Sequence, residues 1–162
     1  MLTLPELSLY ISHTCDIGCD SCFTYNNLNW GGHFKPEGHL EKLKGKVDFE
    51  TITILGGEPT TNPYLNEWMT LVDNNWAGHD DKWIVTNGRN LSKIPSDLFG
   101  RGWKLEISAH SPADLKNIFD NLDLSNNNPE NFKEIFENMQ NMQNMFSNIN
   151  QDTVIRFKMI KR

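Results

Sequence analysis

The sequence predicts an α/β fold: a partial βα barrel of about five mainly parallel strands with helices on the outside. Three observations lead there. Strand-like and helix-like segments alternate along the chain, the pattern of successive βα units. The strand segments are polar on one face and apolar on the other. An open doubly wound sheet would be apolar on both faces, so this sheet is expected to curl around a wet, ligand-holding interior. Finally, the residues with chemical potential all follow strands, at the C-terminal rim where such folds keep their sites.

Each element has its own justification. Leu7 to Ser12 alternates apolar and polar residues, the period of a half-buried strand. A loop from His13 to Lys35 follows, and Pro36 to Lys44 reads as a helix stopped at Gly45. Thr51 to Leu55 is a β-branched strand ending in Gly56-Gly57. Asn62-Pro63 supplies an N-cap and first helical residue for a helix to about Asn75. Lys82 to Thr86 is a third strand closed by Asn87-Gly88, Leu91 to Phe99 a short helix, and Lys104 to Ala109 a fourth strand. Ser111-Pro112-Ala113-Asp114 opens a helix to about Leu122. Asn128-Pro129 opens another, carrying Phe132, Ile135, Phe136, Met139, Met142, Met145 and Phe146 at helical spacing. Its Met-rich stretch reads as an ordinary amphipathic helix. Thr153 to Ile160 is the fifth strand.

The strand faces divide cleanly. Ser8, Tyr10 and Ser12 share one, as do Thr51 and Thr53, then Glu106, Ser108 and His110, then Arg156 and Lys158. The opposite faces hold Leu7, Leu9, Ile11, Ile52, Ile54, Leu105, Ile107, Ile155, Phe157 and Met159.

The 162 residues suit one domain, 1–162. A hydrophobic fraction of 38% and a mean hydropathy of −0.54 indicate a soluble chain. No run approaches the ~18 apolar residues of a membrane span. Met1 to Glu6 lacks the basic and apolar regions of a secretory signal, so a cytoplasmic protein is expected. A net charge of −6 argues against nonspecific binding to nucleic acid or anionic membranes.

The cysteines are the most informative residues. All three lie in Cys15-x3-Cys19-x2-Cys22, directly after the first strand. An odd, tightly spaced set cannot be a disulfide framework and points to metal or iron–sulfur ligation. Three thiolates can hold three irons of a [4Fe–4S] cluster and leave the fourth open. The alternative is a Cys3His zinc site completed by His13 or His33. After the second strand comes Gly56-Gly57-Glu58-Pro59. Its glycines let backbone approach a ligand, and its carboxylate can accept from an ammonium group.

Together these residues resemble the radical S-adenosylmethionine (radical SAM) superfamily. The resemblance rests on the cysteine triad, Gly56-Gly57-Glu58-Pro59, Thr86-Asn87-Gly88 and Ser108-Ala109-His110. It covers Leu7 to His110 in detail. The resemblance implies that Cys15, Cys19 and Cys22 ligate a [4Fe–4S] cluster whose open iron is chelated by S-adenosylmethionine. Gly56, Gly57 and Glu58, with Pro59 beside them, would hold the amino group. Phe23 would lie near the adenine, Ser108 and His110 near the ribose, and Asn87 at the same rim. The reduced cluster would cleave the sulfonium to methionine and a 5′-deoxyadenosyl radical, which would take hydrogen from a substrate. An electron donor such as flavodoxin or ferredoxin is implied.

There are departures. Ser21 stands where many members have an aromatic residue, and the fifth strand lacks the family's glycine pattern. Five strands fall short of the usual six βα units. A truncated chain, or a partner or second copy at the fifth-strand edge, would account for that. The lack of a fourth cysteine leaves no thiolates for an auxiliary cluster. Small size suits peptide modification or glycyl-radical activation. Arg156 and Lys158 could meet an anionic substrate, with Glu106 an ion-pair partner. The competing readings are a noncatalytic zinc or iron–sulfur module and a truncated, inactive homologue.

Overall fold

The computed structural model describes residues 1–19, 22, 31–38, 40–76, 79, 81–109 and 155–159. Five strands form one parallel sheet in the order β1-β2-β3-β4-β5: Leu2–Tyr10, Val47–Leu55, Lys82–Thr86, Trp103–Ala109 and Ile155–Met159. Neighbours in space are therefore neighbours in sequence, as expected of successive right-handed crossovers. The α-helix α1, Leu65–Asn75, joins β2 to β3, and short 3-10 turns occupy the other described connections. Among the described residues no helix is long and apolar enough to cross a membrane.

The register aligns the two faces predicted by alternation. Ser8 is opposite Thr53 and Leu9 opposite Ile54. Ile54 is opposite Ile84 and Ile84 opposite Leu105. The apolar side is the core: Ile52, Ile54, Ile84 and Ile107 are fully buried, packed with Leu65, Met69, Val72 and Trp76 around α1. Leu40 and Leu43 from the first connection, and Leu91, Ile94 and Leu98 from the third, join the same cluster. All three described connections thus cover one side of the sheet, and burial of these apolar side chains drives that arrangement.

The polar side is mixed. Thr53 and Trp83 are buried on it, and Trp83 Nε1 donates to Asp81. Lys104 and Thr51 also bond Asp81 at 2.7 Å each. Burial pushes the Asp81 carboxyl up, but the bonds from Lys104, Thr51 and Trp83 outweigh it and hold the group below its ordinary value. That contribution is present above the unfolded Asp pKa and is lost as pH falls through the folded one.

Several boundaries differ from the sequence expectation. β1 begins at Leu2 and passes through Pro5, which an edge strand tolerates because a missing N–H can face outward. The expected helix at 36–44 shrinks to a 3-10 turn, Leu40–Leu43. That at 91–99 splits into the turns Leu91–Lys93 and Phe99–Arg101. Pro95 forces Ile94 into an extended conformation (φ −74°, ψ 132°), which breaks the helix there. Asn62 does not cap α1, since its Oδ1 accepts from Tyr64 N at 2.8 Å and the helix starts at Leu65. The helices expected at 111–122 and from Asn128 lie outside the described residues.

Beneath the core sits a charged anchor. The Lys82 ammonium, almost fully buried, bonds Asp73 at 2.7 Å and the Arg101 carbonyl at 2.8 Å. Asp73 also receives Arg101 at 2.8 Å and Trp103 Nε1 at 3.0 Å. This ties the C-terminal half of α1 to β3 and β4. Asp73→Ala should lower stability by about 2 kcal/mol, because Lys82 keeps one carbonyl acceptor while Trp103 loses its partner. Urea unfolding checks it, and an unchanged midpoint would remove the anchor's role.

Candidate functional site

Three loops meet at the C-terminal ends of β1, β2 and β3. The first begins where β1 ends. Ile11 N donates to Leu55 O at 3.0 Å, and Ser12, fully buried, forms an antiparallel bridge with His33. The segment around Gly32 to Phe34 runs back along this stretch: His13 N donates to Gly32 O at 2.9 Å, Phe34 N to Ile11 O at 2.9 Å, and Gly32 N to Thr14 Oγ1 at 3.1 Å. Asn62, also buried, fastens both strands of this base through Nδ2 to Ile11 O at 2.6 Å and Phe34 O at 3.0 Å. The cysteine loop therefore rises from a cross-tied base.

Cys15, Cys19 and Cys22 form no disulfide and are half-buried. Cys22 N donates to Cys19 O at 3.2 Å. Ile17 N donates to Cys15 Sγ at 3.4 Å, the kind of bond a thiolate accepts. Burial nonetheless pushes the Cys15 thiol up, helped by the charges of Glu58, Asp16 and Cys19, with only the Ile17 N–H opposing. The donor set has the chemistry of a soft-metal site. Among the described residues no three His, Cys, Asp or Glu side chains are gathered around a common metal position.

The second loop follows β2. Gly56 lies at φ 149°, and a Cβ there would stand 2.5 Å from Ser12 O and 3.0 Å from Ser12 N. Only glycine permits this approach of the two loops. Gly57 N then donates to Ser12 O at 2.7 Å and Glu58 N to Thr14 O at 2.8 Å, so the base of the cysteine loop is bonded directly to Gly57 and Glu58. No hydrogen bond among the described residues takes up the carbonyls of Gly56 or Gly57. Pro59 is buried as the first residue of a 3-10 turn capped by Glu58.

Glu58 itself is 1% exposed. Its Oε1 accepts from Thr60 N at 3.0 Å, Thr60 Oγ1 at 2.6 Å and Thr86 Oγ1 at 2.6 Å. Its Oε2 accepts from Asn87 N at 2.7 Å. The carboxylate thus staples the second loop to the third, a use that sequence reasoning missed. Oε2 keeps one lone pair for a further donor. Burial raises the Glu58 carboxyl against the bonds from Thr60, Thr86 and Asn87, which favour the anion.

The third loop follows β3. Thr86 and Asn87 are buried, Gly88 lies at φ 78°, and its N–H donates to Thr86 Oγ1 at 3.1 Å. Asn87 Nδ2 reaches across to Asp16 Oδ1 at 2.6 Å. Ser108 is half-buried near the C-terminal end of β4, and its register partner is Lys158. Glu106 is opposite Arg156. Phe23 and His110 lie outside the described residues. Of the predicted residues, the structure brings together the three cysteines' loop, Gly56, Gly57, Glu58, Pro59 and Asn87. The contributors given no site role by sequence reasoning are Ser12, Thr14, Asp16, Thr60 and Asn62, and Thr86 was read only as part of its motif. Buried hydroxyls and amides give no sequence period that would find them.

No protein-family profile matches the chain. A protein of Flammeovirga pacifica named "S-adenosylmethionine-dependent nucleotide dehydratase" is 33% identical to it over 97 residues, 56% of this chain and 32% of the relative. The chain spans about a third of that relative's length. This chain is therefore similar, over more than half its residues, to a protein named for its dependence on S-adenosylmethionine.

Proposed function

We propose that the chain carries the cofactor site of a radical SAM enzyme, on a sheet that curves as a partial βα barrel. The observation that carries this reading is the bonded convergence of the cysteine loop, Gly56-Gly57-Glu58 and Thr86-Asn87-Gly88 on three adjacent parallel strands. The relative's name supports S-adenosylmethionine as the ligand. Placement of all described connections on one side of the sheet supports the barrel.

In this reading Cys15, Cys19 and Cys22 ligate three irons of a [4Fe–4S] cluster. Their number leaves one iron for the methionyl amine and carboxylate. When bound, the cluster and S-adenosylmethionine would supply one-electron radical chemistry at the substrate. The chain's own residues bind and orient. The carbonyls of Gly56 and Gly57 accept from the ammonium, and Glu58 adds its remaining Oε2 lone pair. Pro59 fixes the turn behind them. Asn87 and Ser108 border the nucleoside, with Phe23 at the adenine and His110 at the ribose. A flavodoxin- or ferredoxin-like protein delivers the electron. The relative's name favours a nucleotide over a peptide or a glycyl-radical enzyme as the substrate, and Arg156 and Lys158 then serve its phosphates.

Anaerobic reconstitution tests the reading. The protein should take up iron and sulfide in the ratio of a [4Fe–4S] cluster, absorb near ~400 nm and form 5′-deoxyadenosine when reduced with S-adenosylmethionine. Cys19→Ala should abolish cluster and cleavage together. Full cleavage by that variant would refute the ligand assignment. Uptake of zinc alone, with no affinity for S-adenosylmethionine, would favour the noncatalytic module. Binding to the cluster would release the thiol protons, and burial raises the Cys15 thiol, so loading should weaken as pH falls.

A further inference from the structure

We propose that Asp16 is a positioning residue that latches the cysteine loop onto the loop after β3 through Asn87 and Asn90. The inference rests on the cofactor reading above. Asp16 follows the first cysteine directly, and its side chain bonds to a different strand's loop. Each oxygen has its own amide donor: Oδ1 takes Asn87 Nδ2 at 2.6 Å and Oδ2 takes Asn90 Nδ2 at 3.0 Å. The backbone joins in, with Arg89 Nη1 at 3.4 Å from Asp16 O. Bonds to an ionised acceptor are roughly twice as strong as neutral ones, and only a carboxylate offers two such acceptors at this length of side chain.

The partners are themselves held. Asn87 N donates to Glu58 Oε2 at 2.7 Å, and Asn87 Oδ1 accepts from Arg89 N at 2.9 Å. A continuous chain of bonds therefore runs from the residue beside Cys15, through Asn87, to the glutamate of the Gly56-Gly57-Glu58 loop. Backbone bonds from Gly57 and Glu58 fix the root of the cysteine loop. Asp16 fixes a point beyond it, between the first two thiols. Two attachments on one loop set its tilt, which one attachment cannot. Asp16 thereby sets where the cysteine ligands stand relative to the loop that meets the ammonium. Asp16 is exposed, so removing its side chain opens no cavity in the core.

The test compares wild type with Asp16→Ala, Asp16→Asn and Asn90→Ala. In the apo protein, amide exchange at residues 15–19 and 88–90 should quicken in Asp16→Ala far more than exchange in the strands of the sheet. After anaerobic reconstitution, Asp16→Ala should keep its iron and its absorbance but bind S-adenosylmethionine roughly tenfold more weakly, the effect of losing a residue that orients ligands. Asp16→Asn retains the acceptor for Asn87 and should recover part of that affinity. Asn90→Ala should add little on top of Asp16→Ala. Wild-type exchange and wild-type affinity in Asp16→Ala would overturn the proposal, as would loss of iron along with affinity. If wild type itself takes up neither cluster nor S-adenosylmethionine, the cofactor reading fails. The exchange data on apo protein then decide the latch by themselves.

Discussion

Glu58→Ala should lower the unfolding free energy by about 4 kcal/mol, the largest effect of any single change at the rim. Among the described residues, alanine removes the only acceptor of the Thr60 N–H, the Thr86 hydroxyl and the Asn87 N–H. Each buried donor left alone costs about 1–3 kcal/mol. Part of the loss is offset because a buried charge disappears with the side chain. Equilibrium urea unfolding measures the difference, and a change below about 0.5 kcal/mol would show that the staple carries no weight. The sign with pH is opposite to that of Asp81. The folded Glu58 carboxyl titrates above its unfolded counterpart, so the native state holds the proton longer. Stability therefore falls as pH rises from the unfolded value of about 4.3 through the raised folded one. Glu58→Gln should flatten that slope. Glutamine keeps one acceptor oxygen where donors now bond both carboxylate oxygens, so the variant should be less stable than wild type wherever Glu58 is ionised.

Gly56→Ala should cost about 3 kcal/mol and abolish S-adenosylmethionine binding. The new Cβ would meet Ser12 O at 2.5 Å, and backbone cannot rotate aside as a side chain can. A φ of 149° adds strain for any L residue. Relief requires Ser12 to move, and Ser12 O is also the acceptor of Gly57 N–H. The clash would thus pull apart the two loops that the proposed cofactor site joins. Gly45→Ala is the control. Gly45 also has positive φ, 71°, but nothing lies within 4 Å of its added Cβ. It should cost only about 1 kcal/mol and leave ligand binding intact. Equal losses in the two variants would mean that the approach to Ser12 is unimportant.

Both predictions concern residues whose identity was readable and whose contacts were not. The Gly-Gly-Glu-Pro run was visible as a ligand-side turn. That its carboxylate is spent mainly on Thr60, Thr86 and Asn87 was not, since these bonds join positions up to 29 residues apart. Asn62 shows the same limit. Asn before Pro reads locally as a helix cap, but its amide is pulled to Ile11 O and Phe34 O, and the helix begins later. Pro95 was visible too, and its power to break the expected helix followed from local sterics alone.

Alternation of apolar and polar residues is a local quantity, and it marked the strands and the face of β1, β2 and β4 that packs into the core. The identity of the core follows from it, because burial of Ile52, Ile54, Ile84 and Ile107 requires nothing beyond their period. Which loops touch is a different matter. It depends on strand order and register, and on polar groups that gain free energy only when a distant partner arrives. Ser12 against Gly56, Glu58 against Thr86 and Asn87, and Asp16 against Asn87 and Asn90 became readable only once three parallel strands lay side by side.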